Sequence, residues 1–525
     1  MRSLIRSCAL VVPMGTVVLF AINGGLMRAQ APPGTASPPA GRAGGPGAIA
    51  AALFTEKCGG CHGTDVSGGR AASLFDPKLL VRLDDDRLVR IIKAGLPAAG
   101  MPAFNDLTEE HVGQLIHHIR AETGNLAPKP AFIANPAGHV LKTEKQTVKA
   151  ELIADGLETP WALAFLPDGR LLVTERSGHL RIIDNGKLSE PVKGTPKVHV
   201  QQDGGMLDVE VHPNYARNGW IYLSYSEVRA GFVPPPPSVA PPPAPAVQPG
   251  RGRGPQIPSM TVVVRGKLNK NSEWTDEQLI FRAPPEIYTA NGTHFGLRFL
   301  FDREGHLLYS IGERGVPQNS QDLSNPLGKI HRINDDGSVP KNNPFVTTPG
   351  ALPTIWSYGH RNPQGLAWDP ITGRLWSSEH GPSGGDEINI IERGKNYGWG
   401  VVSKGLANGI TRRSHAGMEE PLIYYTPSIG PSQVAFYTGN RFPAWKNTSL
   451  FVGGMAGHQL RRLQIADNKI TAEEVIFGQF GRVRDIVQGP DGYLYIALQN
   501  PTGSGTGLPL SASTPGRVIR LVPAP

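Results

Sequence analysis

Cysteine is scarce: the chain has 525 residues and three cysteines, Cys8, Cys58 and Cys61. A disulfide-stapled scaffold is excluded, and so is a zinc ribbon, which needs a second thiol pair. Aromatic residues make up only 7 %, and no Lys/Arg run interleaves with them. The formal charge of +8 comes from scattered basic residues, which argues against a nucleic-acid partner. Helical periodicity is missing over most of the length. What abounds is glycine (64) and proline (49), together more than a fifth of the chain, which favours a turn-rich β protein over an α/β one. The length implies two or more domains.

The one long apolar stretch, Cys8 to Met27, follows Arg2 and Arg6 and precedes Ala29-Gln30-Ala31. A positive start, an apolar middle and a small-residue site describe an export signal over residues 1–31. The alternative is an uncleaved membrane anchor, but Pro13 and Asn23-Gly24-Gly25 break the stretch and favour cleavage. A periplasmic or secreted protein without stable membrane insertion is expected. Residues 32–47, rich in Pro, Ala and Gly, read as a linker.

Cys58-Gly59-Gly60-Cys61-His62 places two thiols two residues apart with a histidine directly after the second. This is the pattern of covalent haem attachment: the thiols add across the vinyl groups and the imidazole becomes an axial iron ligand. A redox dithiol or half of a zinc site is the alternative. Met101 is the only methionine between Ala31 and Val148, and a His62/Met101 ligand pair raises the haem potential. Gly100-Met101-Pro102-Ala103-Phe104, followed by the amphipathic run from Glu109 to Arg120, resembles the second half of a small class I cytochrome c. The likeness covers residues 48–123 and implies a small all-α domain carrying haem c, matured outside the cytoplasm.

Residues 124–148 read as a second linker. From 149 to 525 a weak repeat takes over: a strand, a Pro/Asp/Gly turn, and a second aliphatic strand. Trp161 to Phe165 runs through Pro167-Asp168-Gly169 into Leu171-Leu172-Val173, and Arg484 to Val487 runs through Pro490-Asp491-Gly492 into Tyr493-Leu494-Tyr495. Four further units start near Met206, Leu297, Gly365 and Val434. Each makes a small antiparallel sheet that cannot bury both faces alone, so a six-bladed β-propeller is predicted. A large β-sandwich would not require the same turn chemistry at each recurrence. Residues 231–255 hold polyproline, which cannot join a sheet, and read as an exposed insertion.

Several propeller segments carry more specific chemistry. They are Gly204 to Val209, Gly292-Thr293-His294-Phe295-Gly296, Gly359 to Gly365, Glu379 to Asn389, Lys395 to Trp399 and Arg482 to Asp485. Together they resemble the PQQ-dependent aldose/glucose-sorbosone dehydrogenase family. The resemblance implies His294 as catalytic base, and Arg361, Asn362, Arg482, Arg484 and Asp203 around the quinone. It also implies Gly381 and Pro382 as carbonyl ligands of one calcium, with Glu387 and the Tyr397 backbone at a second. Arginine forks suit a tricarboxylate, and a hard cation suits oxygen ligands.

Two positions depart from the family pattern. Asp203 stands where a glutamine is common, with Gln201 and Gln202 beside it, and Gly454-Met455-Ala456-Gly457-His458 lacks the expected lysine. Both changes reduce positive charge near an anionic cofactor. The expected protein oxidises an aldose sugar, with PQQ, calcium and haem c as cofactors and a downstream periplasmic electron acceptor. The alternatives are a non-catalytic binding propeller with a tethered cytochrome, and a lactonase-like hydrolase, which would need clustered carboxylate ligands. His117, His118 and His415, lacking motif context, are expected at the surface.

Overall fold

A computed structural model describes residues 46–74, 85–126, 130–233, 257–499 and 515–525. The leader, nearly all of the first linker and nearly all of the Pro-rich insertion lie outside the described residues. The described helices and sheets belong to one unit, Gly44–Pro525.

The N-terminal part is helical: α1 (Pro46–Lys57), α2 (Gly59–His62), α3 (Asp85–Ala94) and α4 (Glu109–Leu126). The Thr108 hydroxyl accepts the His111 amide at 3.2 Å, and Glu109 and Glu110 occupy the first turn, so α4 starts with a cap and favourable charge. Its Val112, Leu115, Ile116 and Ile119 recur at helical spacing and pack with Phe54 of α1 and Leu88 and Ile92 of α3 in one core.

The remainder is six antiparallel sheets. Their first strands are Pro160–Phe165, Met206–Val211, Phe299–Phe301, Pro363–Trp368, Pro431–Phe436 and Arg482–Gln488, and each touches the next around a closed ring. These are blades one to six of a propeller. The turns are set by their chemistry. Asp168 Oδ1 accepts the Arg170 amide at 3.1 Å, while Gly169 takes a φ of +91° that a side chain disfavours. Leu171-Leu172-Val173 is buried throughout, as expected of a strand covered on both faces by neighbouring blades.

Blade six closes the ring. Thr147–Leu157 pairs with Gly516–Pro523, and Val140–Lys142 adds a fifth strand outside it. The linker expected over 124–148 is therefore shorter: α4 runs to Leu126, and the segment from Val140 onward is sheet. Its short alternation of buried and exposed residues carried too weak a period to be read as a strand.

Candidate functional site

The site is built where loops leave the first two strands of several blades. A buried glutamate ends the second strand in blades one and four and lies two residues past it in blade three, and each pins the loop that leads into the same blade. Glu175 accepts the Glu158 amide at 2.6 Å, Glu313 Oε2 lies 2.7 Å from His294 Nδ1, and Glu379 Oε2 lies 2.9 Å from His360 Nδ1. Each is followed by a basic or imidazole side chain: Arg176, Arg314 and His380. This Glu-Arg/Glu-His recurrence is visible in the sequence, but it does not say which histidine Glu313 meets, and motif reading passed over it.

His294 sits at φ +57° and is only partly exposed. Glu313, buried, accepts from its Nδ1–H, which fixes the tautomer carrying a lone pair on Nε2. Arg314 secures the loop from behind. Its guanidinium donates to the carbonyls of Thr293, Asn291 and Ser259 and lies 3.5 Å from the Phe295 ring centre.

The predicted arginines converge here. Arg361 donates through Nη1 to the His380 carbonyl at 3.2 Å, and its backbone amide bonds Glu379. Arg484 lies 3.9 Å over Trp161 and contacts Met455 Sδ at 3.2 Å. Both are buried or nearly so, and the Nε atom of each has no partner. Burial, then Arg298 and Arg482, pushes Arg484 down to about 9, and burial likewise lowers Arg361 and Arg482. His380, among Arg361, Arg484 and His294, is pushed down to about 3 by burial and then by those charges, so it is a neutral imidazole. Asp203 is exposed and acts on Arg314, Arg361, Arg482 and Arg484 alike as a shared counter-charge.

Asn362 bridges loops of two blades. Its Oδ1 accepts from the Gly296 amide at 3.1 Å and from Gln364 Nε2 at 3.2 Å, and its Nδ2 lies 3.4 Å from His380 Nδ1. The amide is thus engaged in holding the loops together. Arg176, not predicted, donates to the Gln202 carbonyl and acts on Arg482. It supplies a cation at the mouth of a chain that lacks the expected lysine, while Met455 is buried and Ala456 exposed.

Arg361, Glu379, Gly381, Pro382, Glu387 and Tyr397 line one pocket. Burial and then Glu379 push Glu387 up to about 8, and the buried Asn389 Oδ1 beside it has no partner. Two carboxylates and an orphaned amide oxygen are a donor set suited to a hard cation. Crowded carboxylates, and arginines whose Nε atoms lack a partner, likewise suit a cation and a polycarboxylate anion in adjoining places.

In the helical part, His62 Nδ1 lies 3.0 Å from the Ala72 carbonyl, which leaves Nε2 for a metal. Burial and then Cys61 push the Cys58 thiol up to about 11, the opposite of the lowered thiol of a redox dithiol. No disulfide joins Cys58 to Cys61. Met101 and Cys58 pack against the same helical core, and Met101 is held by paired backbone bonds to Leu96 of 3.0 and 3.1 Å. These residues fit a covalently bound haem. His117 and His118 correct the expectation: both are buried, because α4 is covered on that side, whereas His415 is exposed.

Fold and site together define a six-bladed propeller with a pocket lined by an arginine and two glutamates, preceded by a cytochrome c-type helical unit. The chain belongs to the Glucose / Sorbosone dehydrogenase family, whose model matches residues 157–507. Residues 46–119 match a second family, cytochrome C oxidase, cbb3-type, subunit III. Among relatives, the aldose sugar dehydrogenase YliI of Escherichia coli is 39 % identical over 367 residues, covering 68 % of this chain and 91 % of its own. The quinoprotein glucose dehydrogenase B of Acinetobacter calcoaceticus is 26 % identical, covering 69 % of this chain and 87 % of its own. The PQQ-bound form of an aldose sugar dehydrogenase from Streptomyces coelicolor superposes with a TM-score of 0.54 at 25 % identity, covering 74 % of this chain and 99 % of that one. Among the described residues no helix is long and apolar enough to cross a membrane.

Proposed function

We propose that this protein is an exported quinohaemoprotein that oxidises an aldose at its anomeric carbon to the lactone, with PQQ, calcium and haem c as cofactors. The observation that carries the reading is the pair of unpartnered arginine Nε atoms, on Arg361 and Arg484, beside the His294–Glu313 pair. In this reading Arg361, Arg482 and Arg484 hold the quinone carboxylates, and Arg176 offsets part of the charge of Asp203. Gly381, Pro382, Glu387 and the Tyr397 backbone provide oxygens for calcium. When bound, the quinone is a two-electron hydride acceptor and the haem a one-electron carrier toward a periplasmic acceptor.

His294 Nε2 takes the proton of the sugar hydroxyl, and Glu313 keeps the imidazole in the required tautomer and steadies the charge it acquires. Neutral His380 adds no cation that would compete for the substrate's oxygens. Cys58 and Cys61 would tether the haem, and His62 and Met101 would supply ligands to its iron.

The test is direct titration of the purified protein with PQQ in calcium buffer, followed by quenching of intrinsic fluorescence. Replacing Arg484 by Gln should weaken binding roughly 10- to 150-fold, the effect of losing a charge-assisted hydrogen bond. Unchanged affinity in Arg484→Gln and Arg361→Gln would remove the arginines from the site.

A further inference from the structure

The helical unit is packed against the loops that wall the propeller pocket. The pocket is lined in part by Gly381, Pro382 and Gly385 on one loop and by Val402 and Ser403 on another. The loops are tied to each other: the Ser383 and Leu406 backbones exchange bonds of 3.3 and 3.4 Å. A Cβ on Gly405 would lie 2.0 Å from the Gly384 carbonyl, so the two backbones are in direct contact.

Both loops are held from the far side by the cytochrome unit. Asp85, the first residue of α3, forms an ion pair with Arg413 and accepts two bonds from Arg120 of α4, at 2.8 and 3.1 Å. Arg413 in turn donates to the Lys404 carbonyl at 3.0 Å, and Lys404 Nζ donates back to the Arg413 carbonyl at 2.8 Å. The clasp thus reaches the Val402–Gly405 segment through its own backbone. On the other loop, His117 Cε1 lies 3.1 Å from where a Gly384 Cβ would stand. Farther along α4, a Cβ on Gly124 would meet Pro427 Cδ at 2.1 Å, a contact that tolerates only glycine. The same helix touches the haem-bearing segment, since His118 packs on Phe54 at 4.8 Å between ring centres and Phe54 O accepts the Cys58 amide at 2.8 Å.

We propose that the cytochrome unit serves as a fixed outer wall of the propeller pocket, so that its docking and the pocket's uptake of a divalent, oxygen-seeking cation are thermodynamically coupled. The inference rests on the cation reading of that pocket given above. Its physical basis is conformational entropy. Gly384 and Gly385, both at positive φ, are of the residue type that loses the most backbone entropy when fixed in one conformation, so ordering this loop is costly. A helix already packed against it removes part of that cost in advance. Linkage makes the effect mutual: an occupied pocket tightens the docking by the same factor.

The experiment uses the full-length protein with haem attached. Gly124→Leu forces a side chain into Pro427, and Arg413→Met removes the clasp without adding bulk; the haem spectrum of each reports an intact cytochrome fold. Calcium affinity is measured by titration, and amide hydrogen exchange is followed at 383–385, at 403–406 and along α4. Both variants should weaken calcium binding roughly 5- to 150-fold and speed exchange in the two loops. In the wild type, calcium should slow exchange along α4. Unaltered calcium affinity in both variants, with or without faster exchange, overturns the coupling. A wild type that takes up no calcium overturns the cation reading and the coupling with it.

Discussion

Replacing His294 by Ala should lower sugar turnover by about 10²- to 10⁴-fold, the range typical of losing a positioned general base. The expectation follows from geometry. Nδ1 is committed to Glu313 at 2.7 Å, so Nε2 is the nitrogen left to face a substrate hydroxyl. Because the loop is held by Arg314 and by Asn362 through backbone groups, the alanine variant keeps the pocket walls. PQQ affinity and the haem spectrum should therefore be unchanged while kcat collapses. Glu313→Ala should cost much of the same factor, since the imidazole then loses both tautomer control and the carboxylate that steadies its charge. Glu313→Gln, which retains an acceptor oxygen, should fall between. Steady-state kinetics with a dye acceptor measures all three, and full turnover in His294→Ala would dismiss the base.

Arg298→Met should destabilise the propeller by about 3–5 kcal/mol. Arg298 is only 2 % exposed and bridges Asp208 at 2.9 Å and Asp485 at 3.1 Å, from blades two and six. It also donates to the Gln364 carbonyl of blade four at 3.1 Å and lies 4.7 Å from the Trp161 ring centre of blade one. One guanidinium therefore ties together strands far apart in sequence. Removing it leaves two buried carboxylates without the cation bonded to them, with only Arg484 still near Asp485.

The same cluster sets a pH dependence. Burial, opposed by Arg298 and reinforced by Asp485, pushes Asp208 up to about 7, and burial and then Asp208 push Glu210 up to about 8. A carboxyl whose folded value lies above its unfolded one binds its proton more tightly when folded. Its stabilisation is present below pH 4 and is lost as the pH rises through about 7 to 8. Denaturant midpoints followed by tryptophan fluorescence should fall between pH 5 and pH 8, and fall more steeply in Arg298→Met. Midpoints that stay level in both proteins would contradict the assignment.

The blades were legible because four of the six hairpins repeat a local device, an Asp/Gly turn between aliphatic strands, that needs no distant partner to specify it. The haem motif was legible for the same reason, five consecutive residues. Features that depend on long-range packing were not. Thr147–Leu157 becomes a strand only when Gly516–Pro523 arrives to pair with it. His117 looks like a surface residue until the loop at Gly384 covers α4 there, and His118 until Phe54 of α1 packs on it. Glu313 sits 19 residues from His294 and becomes its partner only through the sheet between them. Arg176 escaped notice because nothing local distinguishes a pocket cation from a solvated one. Asn362 lay in a recognised motif, yet its amide turns inward to bond Gly296, a choice set by the neighbouring blade.

In the proposed function, oxidation in the propeller feeds the haem of the same chain. It is tested most directly by adding an aldose to full-length protein reconstituted with PQQ and calcium, without any external acceptor, and recording haem absorption. The ferric spectrum should convert to the ferrous one with wild type and stay ferric with His294→Ala. A wild-type spectrum that remains ferric across a panel of aldoses, with PQQ demonstrably bound, would contradict it.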